Sequence, residues 1–245
     1  MNGRVLLVTG GGRGIGAAVA RLAAAEGYAV AVNYKSNAGA ADAVVDAIRK
    51  AGGRAVAVQG DMAVEADVVR VFAAVDRDLG RLTHLVYNSG ITGKNSRFEQ
   101  VATQTLREVM ELNVMGAFYA VREAIPRIST RHGGKGGAMV LLSSAAATLG
   151  SPGEYVWYAA SKGAIDSMTV GLACELAGDG IRVNAVAPGA TDTDIHEPGR
   201  LARVTPFVPM KRAGTADEIA RAIVFLLSDA SSYTTGAILR VAGGR

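Results

Sequence analysis

The chain has 245 residues, 49% of them apolar and 20% charged, a balance that supports a large buried core and leaves no excess of charge to keep the chain unfolded. Its formal net charge of +4 is spread over scattered bases without a Lys/Arg run, which argues against nucleic acid as a partner. No apolar run approaches the roughly 20 residues of a membrane span, and no signal peptide precedes the first strand-like stretch, so a cytoplasmic protein with no membrane partner is expected.

In chain order, residues 4–9 (RVLLVT) form a short continuous apolar run, the pattern of a strand covered on both faces. Gly10-Gly11-Gly12-Arg13-Gly14-Ile15-Gly16 follows at once and leads into a helical pattern that stops at Gly27. Strand-like stretches recur at 28–34, 54–59, 85–87, 138–142, 181–187 and 237–241. Helical patterns fall between them at 38–51, 61–79, 99–112 and 114–129, in a segment running to about 176, and at 215–227. Thr215 reads as the cap of the last helix, with Asp217 and Glu218 suiting its positive end. Cys174 stands alone in an apolar helical pattern and reads as buried filler, while His84, His132 and His196 match no metal-ligand spacing, so no metal is expected.

Strands alternating with helices predict an α/β fold: residues 1–245 as a single doubly wound domain, with a parallel sheet of about seven strands and helices on both faces. Ligands of such a sheet lie beyond the C-terminal ends of its strands. The glycine loop is placed there. Gly10 permits a tight turn, Gly14 lets the backbone approach a phosphate, Gly16 lets the helix pack closely on the strand, and Ile15 lies between them; the turn and the helix dipole suit a pyrophosphate.

The second strand ends in Asn33-Tyr34-Lys35-Ser36, with no carboxylate to accept an adenosine ribose hydroxyl. Lys35, Ser36 and Arg13 offer instead a charge-assisted cradle for a ribose 2′-phosphate, so NADP(H) is expected over NAD(H). Asp61, followed by Met62, could accept from an adenine amino group, cap the following helix, or both. Asn88-Ser89-Gly90 ends the fourth strand, Asn113 sits inside a helical pattern, and Ser143-Ser144 ends the fifth strand. Tyr158 and Lys162, four residues apart, share a helix face, where an ammonium beside a phenol favours the phenolate.

Along its whole length the chain resembles the short-chain dehydrogenase/reductase family, on the residue 9–16 loop, Asn88-Ser89-Gly90, Asn113, Ser144, Tyr158-x-x-x-Lys162 and Pro188-Gly189-x-x-x-Thr193. The resemblance implies a Rossmann-type oxidoreductase that moves a hydride between NADP(H) and a carbonyl or secondary alcohol. It makes Tyr158 the general acid/base and Lys162 the group that lowers the Tyr158 pKa and bonds the nicotinamide ribose. Ser144 would hold the substrate oxygen, Asn113 would anchor a relay water, and Pro188, Gly189, Thr191 and Thr193 would border the nicotinamide and pyrophosphate. It also implies a homotetramer, and members related to sugar dehydrogenases and β-ketoacyl carrier-protein reductases. Ser144 precedes Tyr158 by one residue more than is usual in the family; the extra residue is expected in the 149–154 loop, and Ser143 is the alternative hydroxyl.

Overall fold

The computed structural model of the chain describes residues 3–245. It opens with β1 (Val5–Val8), α1 (Gly14–Ala25), β2 (Ala29–Tyr34), α2 (Ala38–Lys50), β3 (Ala55–Gln59), α3 (Glu65–Asp78) and β4 (His84–Tyr87). Two long helical segments follow, α4 (Thr103–Met110) and α5 (Gly116–Ile128), then β5 (Gly137–Leu142), the single-turn α6 (Ala146–Leu149) and α7 (Val156–Leu176). The chain closes with β6 (Ile181–Pro188), the short α8 (Arg200–Val204), α9 (Ala216–Leu227) and β7 (Ile238–Val241).

All strand pairs are parallel, in the order β3-β2-β1-β4-β5-β6-β7. The apolar runs read as continuous because alternate residues serve two different cores. Leu7, Ala31, Leu85, Met139, Leu141 and Val183 face α3, α5 and α7. Leu6, Val8, Val32, Val86, Val140 and Val186 face α1, α2 and α9. The expected α/β sheet with helices on both faces is therefore present. Its strand order reverses between β1 and β4, which opens a crevice at their C-terminal ends.

One local expectation holds and three change. The cap at Thr215 forms, its hydroxyl accepting from the Glu218 N–H at 3.2 Å while Glu218 Oε2 accepts from the Thr215 N–H at 2.8 Å. Asp61, by contrast, does not cap α3, which starts four residues later with Val64 at its N-cap; Asp61 Oδ1 instead accepts from the Ala63 N–H at 3.0 Å in a local turn. Cys174 is exposed on the outer face of α7 rather than buried. The helices expected at 99–112 and 114–129 are joined through a π-helical turn, Glu111–Met115, with Asn113 at its centre. Such a turn inserts one residue into the helix and frees a carbonyl; that of Leu112 accepts from the buried Tyr87 hydroxyl at 2.5 Å.

Candidate active site

The glycine loop is held by side chains from the strands on either side of it. Thr9, fully buried, accepts with its hydroxyl from the N–H groups of Asn88 and Ser89, each at 3.0 Å. Asn88 Nδ2 donates to the carbonyls of Thr9 and Gly10, both at 3.0 Å. From the β2 side, Asn33 Oδ1 accepts from the Gly10 N–H at 3.2 Å, while its Nδ2 donates to the carbonyls of Val58 and Gly60. Both asparagine amides are thus committed to shaping the loop, so a ligand would meet the loop they position.

Gly10 and Gly14 adopt φ of +60° and +51°, a region costly for any other residue except at special turns. A Cβ on Gly16 would lie 2.4 Å from the Gly10 carbonyl oxygen and 2.6 Å from Asn88 Nδ2. Only glycine lets α1 approach β1 this closely. Ile15 lines the cavity described below, and a Cβ on Gly14 would stand 3.3 Å from the Thr193 methyl. Arg13 occupies the α1 N-cap with no side-chain cap bond, and the first turn carries no acid, which leaves backbone N–H groups and the positive helix end for an anion.

At the end of β2, Tyr34 is half-buried while Lys35 and Ser36 are exposed, as is Arg13. Lys35 Nζ lies 2.7 Å from Asp61 Oδ2, so two residues assigned from sequence to different parts of a dinucleotide are paired with each other. The Met62 side chain is buried in the core, which leaves its backbone as what it can offer a ligand.

Tyr158, Lys162 and Ser144 meet on the crevice wall. Ser144 comes from the turn after β5, where its hydroxyl accepts from the Ala146 N–H at 3.1 Å and bears on the Tyr158 hydroxyl. Ser143 points the other way, buried, donating to the Lys162 carbonyl at 3.4 Å and facing Asp166. Their different partners just after β5 separate the two hydroxyls and leave that of Ser144 beside Tyr158. Between Ser144 and Tyr158 the chain turns sharply after α6, where Gly150, Ser151 and Gly153 all have positive φ.

Lys162 is almost fully buried. Its Nζ donates to the Leu142 carbonyl at 2.6 Å and lies 5.6 Å from the Tyr158 ring centroid. Burial lowers its pKa to about 8, opposed by Asp166 one turn further along α7. Tyr158 differs from the expectation that Lys162 would govern it. Desolvation by the surrounding protein raises the phenol above its ordinary value, and the groups that pull it back are the Ser144 hydroxyl and the Arg200 guanidinium. The Asn113 side chain is fully engaged, accepting from the Ile91 N–H and donating to the Ile91 carbonyl, both at 2.9 Å, and to the Ser161 hydroxyl at 3.0 Å. A Cβ on Gly90 would lie 3.3 Å from Asn113 Oδ1 and 3.5 Å from Lys162 Nζ, so Asn113 and Lys162 border the same glycine.

Pro188 ends β6 and Gly189 packs on Ala242, a Cβ there meeting the Ala242 Cα at 2.8 Å. Thr191 is buried, donating to the Gly189 carbonyl at 3.1 Å; Thr193 faces Gly14 across the crevice. The irregular stretch beyond carries α8, which sequence patterning missed, and it brings Arg200 to Glu154. Arg200 Nε and Nη2 donate to Glu154 Oε2 at 3.2 and 2.9 Å, and Nη1 contacts His196 Nδ1 at 3.1 Å. These partners are 46 positions apart, and no local pattern announces such a pair. Trp157 is buried and donates from Nε1 to the Thr92 carbonyl at 2.7 Å, so it packs the wall rather than lining the space. Together these segments border a cavity of about 560 Å³ lined by, among others, Ile15, Asn88, Tyr158, Arg203 and Phe207.

Among known proteins, a family model described as Enoyl-(Acyl carrier protein) reductase matches residues 10–245. The uncharacterized oxidoreductase YgfF of Escherichia coli (strain K12) is 50% identical over 98% of this chain and 99% of its own length. A 3-oxoacyl-[acyl-carrier-protein] reductase of Synechocystis sp. is 36% identical over 100% of this chain and 97% of its own. The crystal structure of a short chain dehydrogenase from Burkholderia cenocepacia J2315 in complex with NADP superposes with a TM-score of 0.92 at 35% identity, covering 99% of this chain and 97% of that one. With the glycine loop, the reversed strand order and the Tyr158–Lys162 pair in one crevice, the chain belongs to the short-chain dehydrogenase/reductase family of oxidoreductases.

Proposed function

We propose that this oxidoreductase interconverts a carbonyl compound and its alcohol with NADP(H), using Tyr158 as general acid/base. The observation that carries this reading is the convergence of Tyr158, Ser144 and Lys162 on the cavity that the glycine loop also borders. The loop fits a pyrophosphate: Gly10, Gly14, Ile15 and Gly16, with the open α1 N-terminus, would hold it. Arg13, Lys35 and Ser36 would face a 2′-phosphate, Asp61 and the Met62 backbone an adenine, and Pro188, Gly189, Thr191 and Thr193 the nicotinamide end. The cofactor supplies or accepts the hydride when bound.

The chain's own residues manage the oxygen. The Tyr158 hydroxyl, kept protonated by its raised pKa, donates a proton to the carbonyl oxygen in reduction and its phenolate takes one back in oxidation. Ser144 donates a second hydrogen bond to that oxygen and orients it. Lys162 places a buried cation beside the phenol and so favours the phenolate once the proton has left. Asn113 acts at one remove, its side chain clamping the Ile91 backbone that walls the site. For assembly we infer a homotetramer, supported by exposed apolar side chains on α4 and α5 (Met110, Phe118), on α7 (Val170) and on β7 (Ile238, Leu239).

Tyr158→Phe tests the mechanism. It removes only the hydroxyl, and turnover of a carbonyl panel with NADPH is expected to fall by about three orders of magnitude or more while NADPH still binds. A variant that keeps most of its activity would refute the assignment.

A further inference from the structure

Besides Tyr158 and Lys162, the cavity is lined by a cluster of ionisable groups that the proposed chemistry does not use. Glu154 is shared by two guanidiniums: Oε2 accepts from Arg200 and Oε1 from Arg203 Nη2 at 3.4 Å. The trio carries a net charge of +1. His196 brings no negative charge to offset it: its Nδ1 accepts from Arg200 Nη1 at 3.1 Å, and burial and the Arg200 guanidinium hold its pKa below the ordinary value. Glu154 is the sole acid lining the cavity among the described residues, against Lys162, Arg200, Arg203 and Arg245.

The two guanidiniums differ in how they are held. Arg200 is largely buried, lies 5.4 Å from the Tyr155 ring centroid and has all three nitrogens engaged, so it is a fixed part of the wall. Arg203 is about half exposed and has one long contact to Glu154; its Nε and Nη1 meet no partner among the described residues. That leaves N–H donors of a cavity-lining guanidinium uncommitted and available to a carboxylate. The same cavity is also lined by Leu149, Ile195, Val204 and Phe207, apolar walls that suit a short hydrocarbon chain.

We propose that the substrate is an anionic carbonyl compound, an aliphatic oxoacid or the matching hydroxy acid, whose carboxylate docks on Arg203 while its reacting oxygen meets Tyr158 and Ser144. The proposal rests on the carbonyl-reductase reading above and adds the substrate's charge. Arg203 touches the part of the substrate remote from the reaction, so it sets binding rather than the chemical step.

The test uses levulinate and its next longer homologue, each paired with its methyl ester. Binding to the full-length protein loaded with NADP⁺ is read by calorimetry, and reduction with NADPH is read by absorbance. The acids are expected to bind at least about tenfold more tightly than the esters. Arg203→Gln is expected to erase that difference, raising KM for the acids about tenfold with kcat nearly unchanged and leaving the esters alone, while Arg203→Lys restores part of it. Unchanged thermal stability and NADP⁺ affinity in Arg203→Gln show that the variant is folded. Esters that bind as well as acids, or a variant that weakens both equally as a simple structural latch would, overturn the proposal. The calorimetric arm does not depend on turnover. Selective acid binding without any turnover would refute the carbonyl-reductase reading and leave the anion site standing, whereas turnover of neutral carbonyls with no preference for acids would do the reverse.

Discussion

Replacing Lys162 by methionine is expected to make the protein more stable and inactive. The side chain is 4% exposed, and burial takes its pKa from the ordinary lysine value of 10.5 to about 8. At roughly 1.4 kcal/mol per pKa unit, holding the ammonium there costs about 3 kcal/mol at neutral pH. Methionine fills similar space without the charge, but it orphans the Leu142 carbonyl that Nζ now satisfies at 2.6 Å, giving back about 1 kcal/mol. The net gain is about 2 kcal/mol. The sign of the pH dependence follows from the lowered folded-state value. Below about 8 both folded and unfolded lysine are charged and the native protein bears the full cost; between about 8 and 10.5 the unfolded chain binds more protons, so native stability rises with pH. Urea unfolding of both proteins should therefore show Lys162→Met ahead at pH 7, with the gap closing as pH passes from 8 towards 10.5. A variant less stable at pH 7, or a difference independent of pH, would refute the reasoning. Turnover should be lost throughout, a stability–activity conflict expected where a charge is held out of water for chemistry.

Two substitutions test the cofactor side. Gly16→Ala places a methyl 2.4 Å from a backbone oxygen that has no room to retreat, and it is expected to cost at least about 2 kcal/mol of stability and to abolish NADPH binding, read by urea titration and by nicotinamide fluorescence. Asp61→Asn releases Lys35 from its 2.7 Å pair while keeping an oxygen acceptor, so affinity for NADPH should rise a few-fold relative to NADH; an equal change for both cofactors would separate Lys35 from the 2′-phosphate.

The strands were legible because residues that alternate between two cores produce unbroken apolar runs such as Val5–Val8. The glycine loop and the Tyr158–Lys162 pair were legible because each is a local pattern with one mechanical meaning. What escaped the sequence depends on partners distant in the chain. Asn33 and Asn88 stood at strand ends, and nothing local announced that their amides bind the glycine loop between them. Asn113 stood out by its resemblance to the family pattern, but nothing in its neighbours signals the π-helical turn that holds it. Ser143 and Ser144 are chemically identical in sequence, and only their folded partners, the Lys162 carbonyl for one and the Ala146 N–H for the other, tell them apart. Cys174 sits one position from a buried alanine, and helix phase puts it outside.

The stitching of the glycine loop bears on how binding proceeds. Thr9, Asn33 and Asn88 fix its shape through side-chain hydrogen bonds that need no ligand. A dinucleotide arriving there finds its phosphate seat already formed, so little backbone entropy remains to be lost. Association should accordingly be fast and lack a slow ordering phase at this end of the crevice, and amide hydrogen exchange in residues 9–11, whose N–H groups already have acceptors, should be protected before any ligand is added.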